Sequence, residues 1–426
     1  MKLTKTKWTL LVVAMSLLLN TGLALNVAAA EKLTVWAWST AAKGLSEIVP
    51  AFEKANPGVK VEVQEIAWEE MHKKLLTVLA AGVGAPDVTA IEGNLAQQYV
   101  NGLMDVTDRL EPYYDVINTC KLGEAQVDGR VYAIPWDTGP VGIYYRTDIF
   151  EEAGVTELPK TWDEFRELGK KLSTRRQKML AIDPGLDANS VSFYYIRPML
   201  NQLESGYLDA DHNITLNTPE MKQVLQTLYD MMHEDEIAIT NMKMRSPAWY
   251  AAMKSGRFLT VPGAAWFAGI IEGQAPEMAG KWGVFPMPAW EPGGARAAAL
   301  GGSVLAIPKQ TQKQDLAWKF VEFALLNRDS QLHMFKEYNL FPSFESCYDD
   351  SFFDEPDEYF SNQPVNRMFA SIAEDIPVYH YAPYFGQLDD MVRDTAYQYL
   401  TKQISLEEAL ATMQTKGEAI KANYNK

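Results

Sequence analysis

The chain has 426 residues, with 39 basic against 55 acidic side chains and a formal net charge of −16. That negative surplus argues against nucleic acid or an anionic membrane surface as partner, and it weakly disfavours a strongly anionic ligand. Two cysteines, five scattered histidines and no HExxH or CxxC spacing offer no metal motif, so neither a metal nor a cofactor is expected.

Residues 1–30 read as an export leader. Lys2, Lys5 and Lys7 precede an apolar run from Trp8 to Leu19, broken only by Thr9 and Ser16. Ala28-Ala29-Ala30 then supplies the small residues of a cleavage site before Glu31. A signal anchor is the alternative, but the run is short for a bilayer of about 30 Å. No cysteine follows the site, so the expectation is a free periplasmic protein without a lipid anchor.

After the leader, "KLTVWAWST" alternates as a strand, with Leu33, Val35 and Ala37 on one face and Thr34, Trp36 and Trp38 on the other. "LSEIVPAFEKANPG" has a helical pattern that Asn56-Pro57-Gly58 stops, and "VKVEVQEI" is the next strand. "WEEMHKKLLTVLAAG" puts Met71, Leu75, Val78 and Leu79 on one stripe, with Gly82 as terminator. "PDVTAIEGN" adds a short strand, and strand–helix alternation of this kind predicts a parallel sheet covered on both faces.

Beyond the opening stretch the pattern is mostly helical. Thr161 and Glu164 form a capping box, and Pro219 opens a helix with Met221, Val224, Leu225, Leu228 and Met232 on one face. "SGRFLTVPGAAW", "KWGVFPMP" and "LGGSVLAIPK" read as strands, and "DLAWKFVEFALL" as a buried helix. Cys120 and Cys347 are compatible with either a bridge or two buried thiols, because sequence does not fix their separation.

The succession "LTVWAWS", "AFEKANPGVKVEV", "APDV", "GRVYAIPWDTGPVGIYYRTDIFEEAGV", "PKTWDEF", "GKWGVFPMPAWEPGG", "GGSVLAIPK" and "AWKFVEFAL" resembles the bacterial family 1 extracellular solute-binding proteins over essentially the whole chain after the leader. The resemblance implies an α/β, two-lobed periplasmic binding protein of type II. Each lobe would be a mainly parallel sheet flanked by helices, and about three crossing segments would form the hinge. It places lobe 1 at 31–140 and 302–342, and lobe 2 at 141–301 and 343–426. It further implies a receptor, not an enzyme, that captures a mono- or oligosaccharide, acts as a monomer and delivers its sugar to the permease of an ABC transporter.

In open α/β sheets ligands lie beyond the carboxyl ends of strands. That rule selects Trp36, Trp38 and Ser39, and then Glu92, Gly93 and Asn94. Aromatic faces attract sugar C–H groups, while carboxylates accept from the hydroxyl rim. Trp36 and Trp38 either stack on ligand or pack against a helix, Glu92 either accepts hydroxyls or faces solvent, and Trp68 reads as a staple onto its lobe. On the implied plan, Trp136 and Asp137 sit at the cleft edge beside the first crossover. Trp266 resembles a stacking tryptophan, and Tyr384 falls where the last segment returns to the cleft. Gly302 and Ser303, after Gly301, allow close backbone approach or form a tight hinge. Asn189 or Tyr194 could add polar contacts. Trp162 and Trp318 are expected in the core, with Trp249, Trp282 and Trp290 undecided.

Other readings remain open on the sequence. Glu92 with Asp137 could serve an exported glycoside-active enzyme. Tyr144-Tyr145 and Tyr194-Tyr195 suit a ferric-ion receptor, and acids beside aromatics suit a polyamine.

Overall fold

The computed structural model describes residues 30–187 and 190–424, so the leader and Asn189 lie outside the described residues. Among those residues, eight strands of four or more residues carry the fold. They are β1 (Glu31–Ala37), β2 (Val59–Glu65), β3 (Val88–Glu92), β4 (Ile134–Asp137), β5 (Val141–Arg146), β6 (Thr260–Ala264), β7 (Trp282–Pro286) and β8 (Ser303–Ala306).

Five of them form one sheet in the order β2-β1-β3-β8-β4. β1 runs parallel to β2 and β3, whereas β8 runs antiparallel to both β3 and β4. The alternation in β1 is realised: Leu33, Val35 and Ala37 are wholly buried in the first core. Helix α1 (Ser39–Ala55) ends where Pro57 and Gly58 follow, and α2 (Trp68–Ala81) ends on Gly82 at φ 71°. Glycine reaches that left-handed conformation without the clash a Cβ would bring.

The remaining three form a second sheet in the order β6-β5-β7, and its pairing departs from the expected parallel arrangement. β6 and β7 are both antiparallel to the central β5. The cause lies in chain order. Helix Phe267–Gln274 carries the chain from β6 to β7, as in a parallel crossover, but β5 has already filled the slot between them and points the other way. The two-residue pair Leu180–Ala181 and Ala238–Ile239 is parallel, as are the single bridges Thr161 to Ala289 and Lys178 to Phe258.

Two hydrophobic cores result. Phe52, Ile91, Ile134, Val304 and Phe320 belong to the first, and Tyr144, Trp162, Leu228, Phe267 and Leu388 to the second. Trp162 and Trp318 are buried as expected, and Trp249 and Trp282 join them as core rings. The Thr161–Glu164 capping box and the Thr218 cap ahead of Pro219 are both formed. Cys120 and Cys347 are buried free thiols.

Three segments run side by side between the sheets. Leu300 N donates to Gly139 O at 2.8 Å and Val141 N to Ala298 O at 2.9 Å, tying the first segment to the second. Thr138 N donates to Phe341 O at 2.8 Å and Ser343 N to Trp136 O at 3.0 Å, tying the first to the third. These are the three expected hinge crossings, joined as a short ladder.

Candidate functional site

Strand β8 assembles the centre of the site. Its first residue, Ser303, lies opposite Glu92 on one side and Asp137 on the other. Ser303 N donates to Asp137 Oδ1 at 2.8 Å, and Gly93 N donates to Gly302 O at 3.0 Å. Gly301 and Gly302 have φ values of 72° and 95°, and a Cβ on Gly302 would overlap the Asp137 carbonyl and crowd Lys121 Nζ. Glycine is therefore required by conformation and by space together.

A buried charge cluster fills the space beside this junction. Lys121, fully buried on the short helix Thr119–Glu124, is paired with Glu124. Burial alone would push the Lys121 ammonium down, but Glu124 and Asp137 outweigh it and hold it above its ordinary value. Burial raises the Asp137 carboxyl, against the pull of Lys121 and Ser303. From the second core Arg197 comes within Coulombic reach of Glu92 and Glu124. Its guanidinium lies 5.2 Å from the Phe193 ring centre and 5.4 Å from that of Phe385.

Glu92 is a third perturbed acid of the first lobe. Burial pushes it from 4.5 to about 7, opposed by Arg197 and Lys121. His72 lies against its backbone, with Trp38 and Trp68 on the imidazole. The His72 ring lies 5.5 Å from that of Trp38 and 4.6 Å from that of Trp68. Glu92 N donates to His72 Nε2 at 3.3 Å, and His72 Nδ1 lies 2.8 Å from Trp68 O, a pattern that fits a neutral ring with its proton on Nδ1. Burial lowers the His72 pKa, consistent with that neutral form.

Because the folded chain holds the Glu92 proton more tightly than the unfolded chain, this group's contribution is complete below about 4.5 and is lost as pH rises to about 7. Glu92→Gln should flatten the melting temperature against pH across that window. Parallel curves for the two proteins would remove Glu92 as the source.

Trp266 is half-buried on the second lobe, its Nε1 donating to Leu300 O at 3.0 Å and its ring 6.5 Å from that of Phe193. The hinge thus fixes the indole edge.

Several expected contacts lie elsewhere. Trp136 and Asp137 are adjacent on a strand, so they point to opposite faces. Asp137 reaches the charge cluster, while Trp136 is fully buried in the first core and not at a cleft edge. Trp36 is 5% exposed, donates to Gln64 Oε1 at 3.0 Å and carries Lys74 Nζ 4.1 Å above its ring, so it anchors α2 to the sheet. Tyr384 packs its ring 5.4 Å from that of Tyr424 on the C-terminal helix. Three residues earlier, Tyr381 is the one that senses Glu124 and Arg197. Tyr194 is buried in the second core.

Lys121, Arg197, Phe193 and Tyr381 were not selected from sequence, and Trp68 was assigned to packing. For Trp68 and His72 a signal existed, since i and i+4 share a helix face. Arg197 follows a π-helical turn, Ser192–Ile196, whose extra residue defeats any reading at ordinary helical spacing.

Two α/β lobes on a three-segment hinge, with Glu92 and Glu124 of one within Coulombic reach of Arg197 of the other, define a two-lobed solute-capturing receptor. The chain belongs to the bacterial extracellular solute-binding proteins, whose family pattern it matches over residues 36–330. It is similar to an arabinooligosaccharide-binding protein of Halalkalibacterium halodurans, 28% identical over 86% of this chain and 82% of that one. A lactose-binding protein of Rhizobium radiobacter is 27% identical over 91% and 93% of the two chains. Among solved structures, an ABC-transporter-associated binding protein of B. animalis subsp. lactis, in complex with β-1,6-galactobiose, matches with a TM-score of 0.73 and 26% identity, over 91% of this chain and 98% of that one. Proteins of this family are extracellular or periplasmic binding proteins, and no helix among the described residues is long and apolar enough to cross a membrane.

Proposed function

We propose that this chain is the carbohydrate receptor of an ABC importer, enclosing a mono- or oligosaccharide between its lobes and presenting it to the membrane permease. The observation that carries this reading is the approach of Glu92 and Glu124 from one lobe to Arg197 from the other, with Trp38 and Trp68 against His72 on the first side and Trp266 and Phe193 beside Gly301 on the second. Indole faces suit sugar C–H groups, and ionised side chains suit the hydroxyl rim. The sugars named for its relatives point the same way. Closure is favoured by ligand because only the closed form brings both sets of contacts together. The leader at 1–30 is proposed to be cleaved after Ala30. The lobes are proposed to be 31–140 with 302–342, and 141–301 with 343–426.

One tyrosine of each pair that suggested iron is committed elsewhere. Tyr144 OH donates to Ala264 O at 2.9 Å and Tyr195 OH to Ala181 O at 2.7 Å. A thermal-shift screen with arabinotriose, lactose, β-1,6-galactobiose and putrescine tests the reading, since a ligand at a hundred times its dissociation constant adds about 2.7 kcal/mol. A shift with putrescine and none with the sugars would sink it. Trp266→Ala should weaken binding of the responding sugar at least about tenfold, roughly 1.4 kcal/mol, with the protein still folded; unchanged affinity by calorimetry would remove Trp266 from the site.

A further inference from the structure

Arg197 is 5% exposed, yet its guanidinium makes no hydrogen bond or ion pair with any described residue. The acids near it are engaged elsewhere. Asp389 Oδ1 accepts from Ser192 Oγ at 2.7 Å and Tyr207 OH at 3.1 Å, while its Oδ2 faces Arg393 at 3.8 Å. Glu124 is paired with Lys121. Arg197 therefore keeps a full charge and five N–H donors in a buried place, held between two phenylalanine rings. The Tyr379 hydroxyl, within Coulombic reach of it, is buried without a partner as well. A buried cation without acceptors is costly to keep. The π-helical turn immediately before it, a deformation that concentrates at functional sites, sets its position.

Resting on the carbohydrate reading above, we infer that Arg197 is a specificity-determining contact. It donates to hydroxyl oxygens of a neutral sugar while Glu92 accepts from that sugar's other hydroxyls across the cleft. A neutral guest is selected because Glu92, Glu124 and Asp389 already lie within Coulombic reach of the guanidinium, so a uronate carboxylate would add a further acid beside three carboxyl groups. A hydroxyl both accepts and donates, and so satisfies Arg197 and Glu92 together.

Arg197→Met keeps an unbranched side chain between the two rings and removes the charge. The ligand-free variant should melt within a few degrees of wild type, since no hydrogen bond or ion pair to the protein is lost. A drop of several degrees would show that the cation supports the fold, and would overturn the assignment. Calorimetry with lactose, arabinotriose and digalacturonate on wild type, Arg197→Met and Arg197→Lys supplies the second measurement. The neutral sugar that binds should lose at least tenfold in Arg197→Met and recover part of that in Arg197→Lys. Digalacturonate should bind wild type at least tenfold more weakly than that neutral sugar. Equal affinity for wild type and Arg197→Met, or a preference for digalacturonate, would overturn the inference. If wild type binds none of the three, the carbohydrate reading fails, and the ligand-free melting comparison still decides whether Arg197 is a fold-supporting cation.

Discussion

Lys121→Met should destabilise the protein by about 3–5 kcal/mol in urea unfolding, the usual consequence of removing one partner of a buried ion pair. The ammonium is completely buried, is paired with Glu124, and offsets the buried Asp137 and Glu92 carboxyls. Without it three acids face one another beside the hinge, and each must take up a proton or separate. Gly93 closes over the pair so tightly that a Cβ there would overlap Glu124 Oε2. The double variant Lys121→Met with Glu124→Leu should recover much of the loss, because deleting both charges leaves no orphan. A single variant as stable as wild type, or a double variant no better than the single, would show that the pair does not neutralise this cluster.

Gly302→Ala is the second large effect expected, at about 2–4 kcal/mol, from an unfavourable left-handed conformation together with overpacking. Its φ of 95° and the contact a Cβ would make with the Asp137 carbonyl act on the same residue. The hydrogen bond from Ser303 N to Asp137 Oδ1 depends on that close approach. Sugar affinity should therefore fall along with stability. Gly273→Ala is the control, since nothing lies within 4 Å of a Cβ placed there and the backbone carries no positive φ. Equal melting temperatures for the two variants would refute the account of the hinge.

Local chemistry in the sequence was a good guide wherever one element decides its own form. Gly82, the Thr161–Glu164 box and the Pro219 start all work through neighbours three or four positions away, and all are formed. The hinge was readable for the same reason, since Gly139-Pro140 and Gly301-Gly302 announce bends. Trp136 shows the limit of such reading. Its pairing with Asp137 suggested a shared destination, but strand periodicity sends the two side chains apart. The direction of β5 relative to its partners, the burial of Tyr384 on the last helix and the placement of Arg197 next to Glu92 all depend on contacts between distant segments. Residue types alone do not encode those distances.

The place of β8 in the first sheet bears on how this chain is made. Ser303 lies 166 positions after Asp137, yet β8 must slide between β3 and β4 before either has its full set of neighbours. A growing chain cannot complete that sheet until more than two thirds of it has been synthesised. Late, long-range pairing of this kind slows folding, so the nascent polypeptide stays open for most of its synthesis. A fragment ending ahead of Ser303 should accordingly remain protease-sensitive.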